Sequence, residues 1–347
     1  MIAKSRKNII SPEESKLLKD QGYLALDPHV HSSHSYDVPE SSKTIPEKII
    51  AEQERLGLVK IITDHDTMSA HDYLSRDDVV RGVEIKIRPQ KMRLVRNTDP
   101  MHTLHINVYG LNNSQFNTLE NISKQTADLD LFIDYIRSEG LKFQYNHPFW
   151  HERKERMNWK AIPEIAEKYF DVIELNAGRP RMLNDLAVYI AQEYNKGITS
   201  STDTHTGRPG RAIVLAKGQD FDEMWDNIKN RQMYVVRNDM TALGVVEEVA
   251  CMIENIFDEK IHKNKIYTLD TGITLLDNIA KHIYTKGNSN MIGKLAYKGL
   301  GFFNNHFGEA LAEKLYVGRE NKLGQEINDH ILSVVYANNM KLSTVEF

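Results

Sequence analysis

Seven short apolar stretches occur in the first two-thirds of the chain, and segments with helical spacing of apolar residues separate most of them. The stretches predicted as strands are 23–31, 58–66, 81–87, 103–110, 141–148, 171–178 and 197–205. The segments predicted as helices are 46–56, 117–139, 158–168 and 183–196. Strands that alternate with helices of this length are typical of parallel βαβ units, either in an open sheet or in a barrel.

The pattern changes after about residue 245, where apolar residues recur at three- and four-residue spacing without strand-like stretches. The predicted helices there are 246–263, 272–286, 290–317 and 322–338. We therefore expect three regions: an N-terminal helical lead-in over 1–22, a barrel domain over 23–243 and a helical appendage over 244–347. The appendage fits a lid, a homo-oligomer interface or a docking surface for a partner protein.

Composition narrows the class of protein. The chain has 347 residues, a formal net charge of −4, 41% hydrophobic residues and 27% charged residues, which is typical of a folded globular protein. The near-neutral charge gives no global case for nucleic-acid binding. The single cysteine, Cys251, cannot form an internal disulfide, so a reducing, cytoplasmic location is expected. No apolar run reaches the roughly 20 residues that span a bilayer, so no membrane partner is expected.

Histidine and acidic residues gather where the predicted strands end. Ten of the 14 histidines lie at or before position 205. His29 and His31 are two residues apart on a strand and face the same side, as Asp203 and His205 do. Glu84 is predicted to point inward between apolar neighbours. Since active sites of (β/α) barrels are built at the C-terminal ends of the strands, these groups are expected around one rim.

A lone His-x-His pair is a weak signal, because a buried histidine with one hydrogen-bonded partner is the commoner situation. Six or more such groups on one rim change the balance. Without a metal, several of them would be desolvated and unpaired, at a cost of several kcal/mol each. Divalent cations remove that cost, because neutral imidazole and carboxylate are their preferred ligands.

At this point the sequence resembles the polymerase and histidinol-phosphatase (PHP) superfamily of metal-dependent phosphoesterases. The resemblance covers roughly residues 20–240, and the motifs occur in the family's order. They are DPHVHSSHSYD (27–37), ITDHDT (62–67), GVEI (82–85), LHINVYG (104–110), NHPF (146–149), IELNAG (173–178) and STDTHTGRPG (201–210).

The resemblance implies a distorted (β/α)7 barrel that binds two or three divalent ions (Mn, Zn or Fe) at its rim. The ligands carried over are His29, His31, Glu84 and Asp203 for the first ion; Glu84, His105 and His147 for the second; and Asp37, His65 and His205 for the third. Two features depart from the family pattern. Pro28 stands where the family usually has Leu, and His34 competes with Asp37 as the third-site ligand, Asp37 being favoured.

Two ions that share a carboxylate lower the pKa of a bridging water, so the site predicts attack of a metal-bridging hydroxide on phosphorus. The residues expected to carry catalysis are Glu84, Asp203, His205 and Asp64. Asp64 and Asp66 either orient an imidazole or cap the following helix. The proton for the leaving group comes either from His205 or from a metal-bound water.

Basic and aromatic residues near the motifs have two interpretations each. Arg179 and Arg208 either bind the substrate phosphoryl group or pair with acidic residues. Six basic residues between Arg81 and Arg96 either attract a phosphate-rich substrate or form a solvated surface. Phe149 and Trp150 either stack on a base or sugar or pack the ligand loop.

Hydrolysis of phosphate esters is the leading hypothesis, by a phosphomonoesterase or phosphodiesterase acting on a small phosphorylated metabolite or a nucleotide. A nuclease acting on single-stranded DNA or RNA with the same site is the second hypothesis, with nucleic acid as the partner. A metal hydrolase that cleaves C–N bonds, in the manner of amidohydrolases, ranks below both. The non-enzymatic alternative is a PHP-like scaffold or binding module.

Overall fold

The computed structural model describes residues 8–94, 102–152, 155–256, 306 and 308–329. Its strands are β1 (Ile9–Ile10), β2 (Leu24–Leu26), β3 (Ile61–Ile62), β4 (Val80–Ile87), β5 (Leu104–Tyr109), β6 (Lys142–Tyr145), β7 (Val172–Asn176), β8 (Gly197–Ser201), β9 (Ile213–Ala216) and β10 (Met233–Val236). Its helices are α1 (Pro12–Asp20), α2 (Pro46–Arg55), α3 (Ser69–Leu74), α4 (Asn113–Asn121), α5 (Leu129–Ser138), α6 (Ile162–Tyr169), α7 (Arg181–Glu193), α8 (Phe221–Lys229) and α9 (Ala242–Ile256). The mixed α/β class predicted from the sequence is confirmed.

The described strands form two sheets. One has the order β3-β4-β5-β6-β7-β8, and the other has the order β1-β10-β9-β2. Each of the seven predicted strands overlaps one of β2 to β8, whereas the short strands β1, β9 and β10 were not predicted. The lead-in thus supplies a strand as well as a helix, because β1 pairs in parallel with β10.

One strand of the larger sheet runs against its neighbours. The pairs β3/β4, β6/β7 and β7/β8 are parallel, but β5 is antiparallel to both β4 and β6. No helix was predicted between β4 and β5, and a connection without a crossover helix favours antiparallel pairing. His105, near the start of β5, therefore lies opposite Lys86 near the end of β4, at the same edge as the ligand-bearing ends of the parallel strands.

Backbone hydrogen bonds join the segment after β2 to the residues that follow β3 and β8, the two edge strands of the larger sheet. Thr63 N donates to Val30 O over 2.8 Å, and Asp203 N donates to His29 O over 2.9 Å. The segment that carries the His-x-His pair thus lies between the ends of β3 and β8. A closed (β/α)7 barrel is a finer description of this arrangement and stays a prediction.

Strand alternation places apolar residues on one face of the larger sheet and a ladder of polar residues on the other. The apolar face packs in the main core, where Val83, Ile85 and Ile106 are fully buried. The polar ladder consists of Glu84, Asn107, Gln144, Glu174 and Thr199, all of them fully buried. The residues of each pair Glu84/Asn107, Asn107/Gln144 and Glu174/Thr199 lie directly opposite each other on adjacent strands.

The predicted helix over 117–139 is two helices. Helix α4 passes into a π-helical turn at Ile122–Thr126, which ends at Ala127 in the left-handed conformation, with φ +46°. Asp128 then caps α5 by accepting a hydrogen bond from Leu131 N over 3.1 Å. Aspartate is a favoured N-cap because its carboxylate satisfies a free amide of the first turn.

The described part of the appendage packs on the region of the two sheets. Ile327 is fully buried in the main core, and Gly324 lies against Met182 and Leu183 of α7. Residues 308–329 are helical, with a π-helical turn at Glu313–Val317. Helix α9 begins four residues before the predicted helix 246–263 and is described as far as Ile256. The helical residues 308–329 run through the break predicted between 290–317 and 322–338, and the predicted helix 272–286 lies outside the described residues.

Within the residues that the structure describes, none of the helices combines the length and the apolar composition needed to cross a lipid bilayer.

Candidate metal centre

Glu84 stands at the centre of a cluster of imidazoles. It is fully buried, and its Oε2 lies 2.9 Å from His29 Nε2 and 3.1 Å from His65 Nδ1. Its Oε1 lies 3.0 Å from His105 Nδ1 and 3.4 Å from His147 Nε2. The two oxygens of one carboxylate therefore serve two different groups of imidazoles, which is the arrangement of a bridging ligand.

Asp203 completes the group around His29 and His31. Its Oδ1 lies 3.2 Å from His31 Nε2 and 3.4 Å from His29 Nε2. Ligand atoms of His29, His31, Glu84 and Asp203 all lie within 4.8 Å of one another. Asp203 has φ +50° and His147 has φ +25°, and such strained backbone at strand ends is a common way of aiming functional side chains.

A second face of the cluster contains Asp37. Its Oδ2 lies 2.8 Å from His205 Nε2 and 3.2 Å from His65 Nε2. Suitable nitrogens of His31, His65 and His205 also lie within 4.8 Å of one another. His34 instead makes a 2.9 Å contact through Nδ1 with Ser69 Oγ. Of the two competing residues, the structure thus places Asp37 beside His65 and His205.

All nine residues proposed as metal ligands from the sequence therefore come together. They are His29, His31, Asp37, His65, Glu84, His105, His147, Asp203 and His205. The side chain of His205 is 22% exposed, against 7% or less for the other imidazoles of the cluster. The approach from solvent therefore lies on the side of His205.

Two carboxylates that were not predicted from the sequence contact imidazoles at the ring nitrogen that faces away from Glu84. Glu174 Oε1 lies 2.7 Å from His29 Nδ1, and both oxygens of Glu155 lie 3.1 Å from His105 Nε2. Each contact fixes which ring nitrogen faces Glu84, as carboxylate–imidazole pairs do in metal sites. The alternation of Glu174 with Asn176 on β7 was a signal for the first, whereas Glu155 lies in a loop without periodicity.

The donor set fits divalent cations. Among the described residues, His31 Nδ1 and His147 Nδ1 are buried without a hydrogen-bond partner. His29 Nε2 and His31 Nε2 lie only 2.9 Å apart, so at most one proton fits between them and lone pairs face a common point. Buried imidazole lone pairs beside buried carboxylates are what ions such as Zn²⁺ and Mn²⁺ take as ligands.

The electrostatics of the cluster likewise favour bound positive charge. Burial works to raise the pKa of Glu84, but His29 and His65, with hydrogen bonds from His105 and His147, hold that pKa well below its usual value. Burial works to lower the pKa of His29, yet Glu84, Asp203 and Glu174 raise it well above its usual value. The carboxylates thus stay ionised and draw compensating charge to the imidazoles, and bound cations supply that charge directly.

Asp64 does not contact an imidazole of the cluster through its carboxylate. It is buried and accepts hydrogen bonds from Ser32 N and Ser32 Oγ, both over 2.6 Å. Asp66 accepts a hydrogen bond from Lys86 N over 3.2 Å. Neither contact caps α3, the helix that follows. Asp64 therefore holds the backbone next to His31, and Asp66 holds the backbone of β4, where an imidazole or a helix N-terminus was expected as the partner.

The two arginines proposed to bind substrate have different surroundings. Arg179 Nη2 lies 3.3 Å from Asp203 Oδ2, next to the cluster. Arg208 Nη2 donates to Glu248 Oε1 of α9 over 2.7 Å, and Arg211 also pairs with Glu248. The structure therefore favours a pairing role for Arg208 and leaves Arg179 as the arginine nearest to the candidate metal ligands.

Trp150 packs against the ligand loop. Its ring makes edge contacts with His105 and His147 at centroid distances of 6.3 and 5.1 Å, while Arg179 covers a face at 3.6 Å. Phe149 is buried in the main core. The packing interpretation of both aromatics is therefore the one that agrees with the structure.

The basic stretch after β4 is partly neutralised. Lys86 Nζ lies 2.7 Å from Glu152 Oε1 and 2.8 Å from Glu155 Oε1, and Arg81 pairs with Asp72 over 3.3 Å. Arg96 lies outside the described residues. Lys86 shares its strand face with Glu84, so it lies beside the cluster rather than on a separate surface patch.

Comparison with known proteins gives structural similarities at low identity. A two-domain protein from Bacteroides vulgatus, described as containing a PHP-like metal-dependent phosphoesterase, is 17% identical with a TM-score of 0.45, over 68% of this chain and 71% of that protein. PsfC from Pseudomonas syringae is 14% identical with a TM-score of 0.44, over 62% and 92% of the two chains. The lesion-specific endonuclease PfuEndoQ from Pyrococcus furiosus is 15% identical with a TM-score of 0.41, over 89% and 91%.

No protein-family model matches the sequence, and no curated protein matches it. The Bacteroides protein is described in terms of the same superfamily that the sequence motifs resemble. With identities of 17% or less and TM-scores below 0.5, these similarities carry no argument about this chain. The assignment of function therefore rests on the geometry of the cluster.

Proposed function

We propose that the protein is a metal-dependent phosphoesterase that hydrolyses a phosphate ester of a small metabolite or a nucleotide. The observation that carries the proposal is the fully buried Glu84, whose two oxygens serve two groups of imidazoles. Two or three divalent ions, of Mn, Zn or Fe, would be held by the nine clustered residues. Such ions supply a reactive water at neutral pH and neutralise charge on the phosphoryl oxygens.

The chain's own residues would arrange that chemistry. Glu84 and Asp203 hold the first group of imidazoles together, and Glu174 and Glu155 fix the orientation of two of them. Arg179 is the proposed phosphate-binding side chain, because its guanidinium can donate two parallel hydrogen bonds to phosphoryl oxygens. His205 lies on the exposed side of the cluster, and we propose that the leaving group departs on that side. Asp64 keeps the His31–Ser33 backbone in position through Ser32.

Metal analysis together with a hydrolysis screen tests the proposal. Protein purified without chelators should contain at least two divalent ions per chain by plasma mass spectrometry, and should cleave p-nitrophenyl phosphate or its bis-ester when supplied with Mn²⁺. Glu84→Gln should lose bound metal and reduce kcat by about 100-fold or more, because the shared ligand is removed. Glu54→Gln, at a side chain that is 61% exposed, is the control and should behave as wild type.

The outcomes separate the competing functions. Cleavage of a single-stranded oligonucleotide with none of the small esters would replace the metabolite substrate by nucleic acid. Fewer than one ion per chain would favour the scaffold alternative. A Glu84→Gln variant that keeps its metal and its activity would instead refute the proposed site.

A further inference from the structure

Arg179 is held from several sides next to the cluster. Its guanidinium lies 3.6 Å from the centre of the Trp150 ring, and its Nη2 lies 3.3 Å from Asp203 Oδ2. Nη1 donates to Gly178 O and to Tyr316 Oη, both over 3.2 Å. The side chain is only 12% exposed. Arg179 is therefore a buried cation with one defined position.

One donor of this arginine is unused. Arg179 Nε is buried and, among the described residues, has no hydrogen-bond partner. A buried N–H without a partner is costly, and such a group in a native structure calls for an explanation such as a catalytic role or a bound water or ion. A phosphoryl oxygen is an acceptor that would satisfy it.

Tyr316 comes from the helical residues 308–329, far along the chain from the other partners of Arg179. Its hydroxyl donates to Gly178 O over 2.8 Å while it accepts from Arg179. Its ring packs with a small apolar cluster formed by α9 and the same helical segment, which includes Ala242, Ala312 and Val317. The appendage thus contacts the loop after β7 at two residues, Gly178 and Arg179.

The contacts continue from Arg179 to a candidate metal ligand. Asp203 Oδ2 accepts from Arg179 and, over 3.1 Å, from Asn176 Nδ2, while Oδ1 faces His29 and His31. Movement of Arg179 would therefore release one of the two groups that orient this carboxylate.

We propose that Tyr316 is a positioning residue that fixes Arg179 for phosphate binding, so that the C-terminal helical segment is a working part of the site. The inference rests on the proposed function, because it takes the substrate to be a phosphate ester. If Tyr316 only anchored the appendage, its hydrogen bond to Gly178 O would be sufficient. In that case the effect of losing the hydroxyl would not depend on Arg179.

A kinetic double-mutant cycle tests the connection. Tyr316→Phe keeps the ring and removes the hydroxyl, and we expect it to raise KM and the inhibition constant of inorganic phosphate about fivefold, the effect of one lost hydrogen bond, with kcat changed less than about twofold. In an Arg179→Lys background the same substitution should change neither constant, because residues acting through one another are not additive. Tyr234→Phe, in β10 against Tyr23, is the matched control and should leave both constants unchanged.

A spectroscopic measurement tests the position of Arg179 without turnover. Because Arg179 covers the ring of Trp150, Tyr316→Phe should change the tryptophan emission, and a Trp150→Phe background should abolish that change. Additive kinetic effects, or an emission change that survives Trp150→Phe, would overturn the inference while leaving an active wild-type enzyme and the proposed function intact. Absence of metal and hydrolysis in the wild type would instead overturn the proposed function.

Discussion

Glu174 contacts several hydrogen-bond donors in the middle of the polar ladder. Its carboxylate contacts His29 Nδ1 over 2.7 Å and accepts hydrogen bonds from Ser201 Oγ over 2.5 Å and His147 N over 2.7 Å. Since these partners lie in the segments after β2 and β6 and at the end of β8, one buried side chain fixes the relative positions of two imidazoles. Residues of this kind act on a metal without touching it.

Glu174→Gln should therefore weaken metal binding. An amide must place an NH₂ group against at least one of the donors that face the carboxylate, which weakens the contact that orients His29, and we expect a 10- to 100-fold loss of metal affinity. Competition with a fluorescent chelator measures the affinity directly. Glu54→Gln again serves as the control, and an unchanged affinity in Glu174→Gln would contradict an orienting role.

His102 is a buried histidine that belongs to the structure rather than to the cluster. Its Nδ1 accepts from Asn158 N over 3.1 Å, and its Nε2 lies 2.6 Å from Tyr145 Oη. Burial, with the nearby His151 and His105, lowers the pKa of His102 to about 3. Protonation would place a hydrogen on Nδ1 and break the bond from Asn158, so the native state holds the neutral ring.

The lowered pKa predicts a pH dependence of stability. As the pH falls below the ordinary value of 6.5, the unfolded chain takes up a proton at His102, while the native protein does not until the pH nears about 3. The free energy of unfolding should therefore decrease as the pH falls from about 6.5 to about 3. His102→Gln should make this decrease shallower in urea titrations, and an unchanged slope in that variant would contradict the prediction.

The backbone at the start of β8 lies directly against the backbone at the end of α8. A Cβ on Gly197 would lie 2.3 Å from Ile228 O at the end of α8, so only glycine fits there. The start of β8 thus depends on α8, although the two are separated by β9 in the sequence.

Gly197→Ala should destabilise the protein by about 1–3 kcal/mol, because the added methyl group forces the helix and strand apart. Gly244→Ala in α9 is the matched control. There the added Cβ would meet Met240 Sδ, part of a flexible side chain, and alanine favours the helix, so we expect no loss of stability. Equal midpoints for the two variants in urea unfolding would show that the junction has room to move.

For the molecule as a whole, the cluster joins segments from most of the barrel region. Its ligands follow or lie in β2, β3, β4, β5, β6 and β8, and their burial leaves charge that cations would balance. Metal bound to the native state alone stabilises it by mass action. We expect a chelator to lower the melting temperature by several degrees and to abolish hydrolysis, and excess Mn²⁺ to restore both. A melting temperature that does not change when the chelator is added would indicate that the cluster folds without ions.

The sequence by itself determined the parts of the site that follow from local periodicity. Alternation along a strand decides that His29 and His31 share a side and that Glu84 points inward, and these relations hold in any sheet that buries the other face. The predicted strands β2 to β8 and the mixed α/β class follow from the same local pattern.

Only the tertiary structure decided the rest. Whether Asp37 or His34 joins His65, that Asp64 binds Ser32, and that Glu155 and Tyr316 reach the cluster all depend on loops and a distant helix returning to the rim. Such contacts have no sequence period, because they arise from packing between segments that the chain brings together only on folding. The reversed direction of β5 likewise comes from pairing, and it explains how His105 reaches the rim from the beginning of its strand.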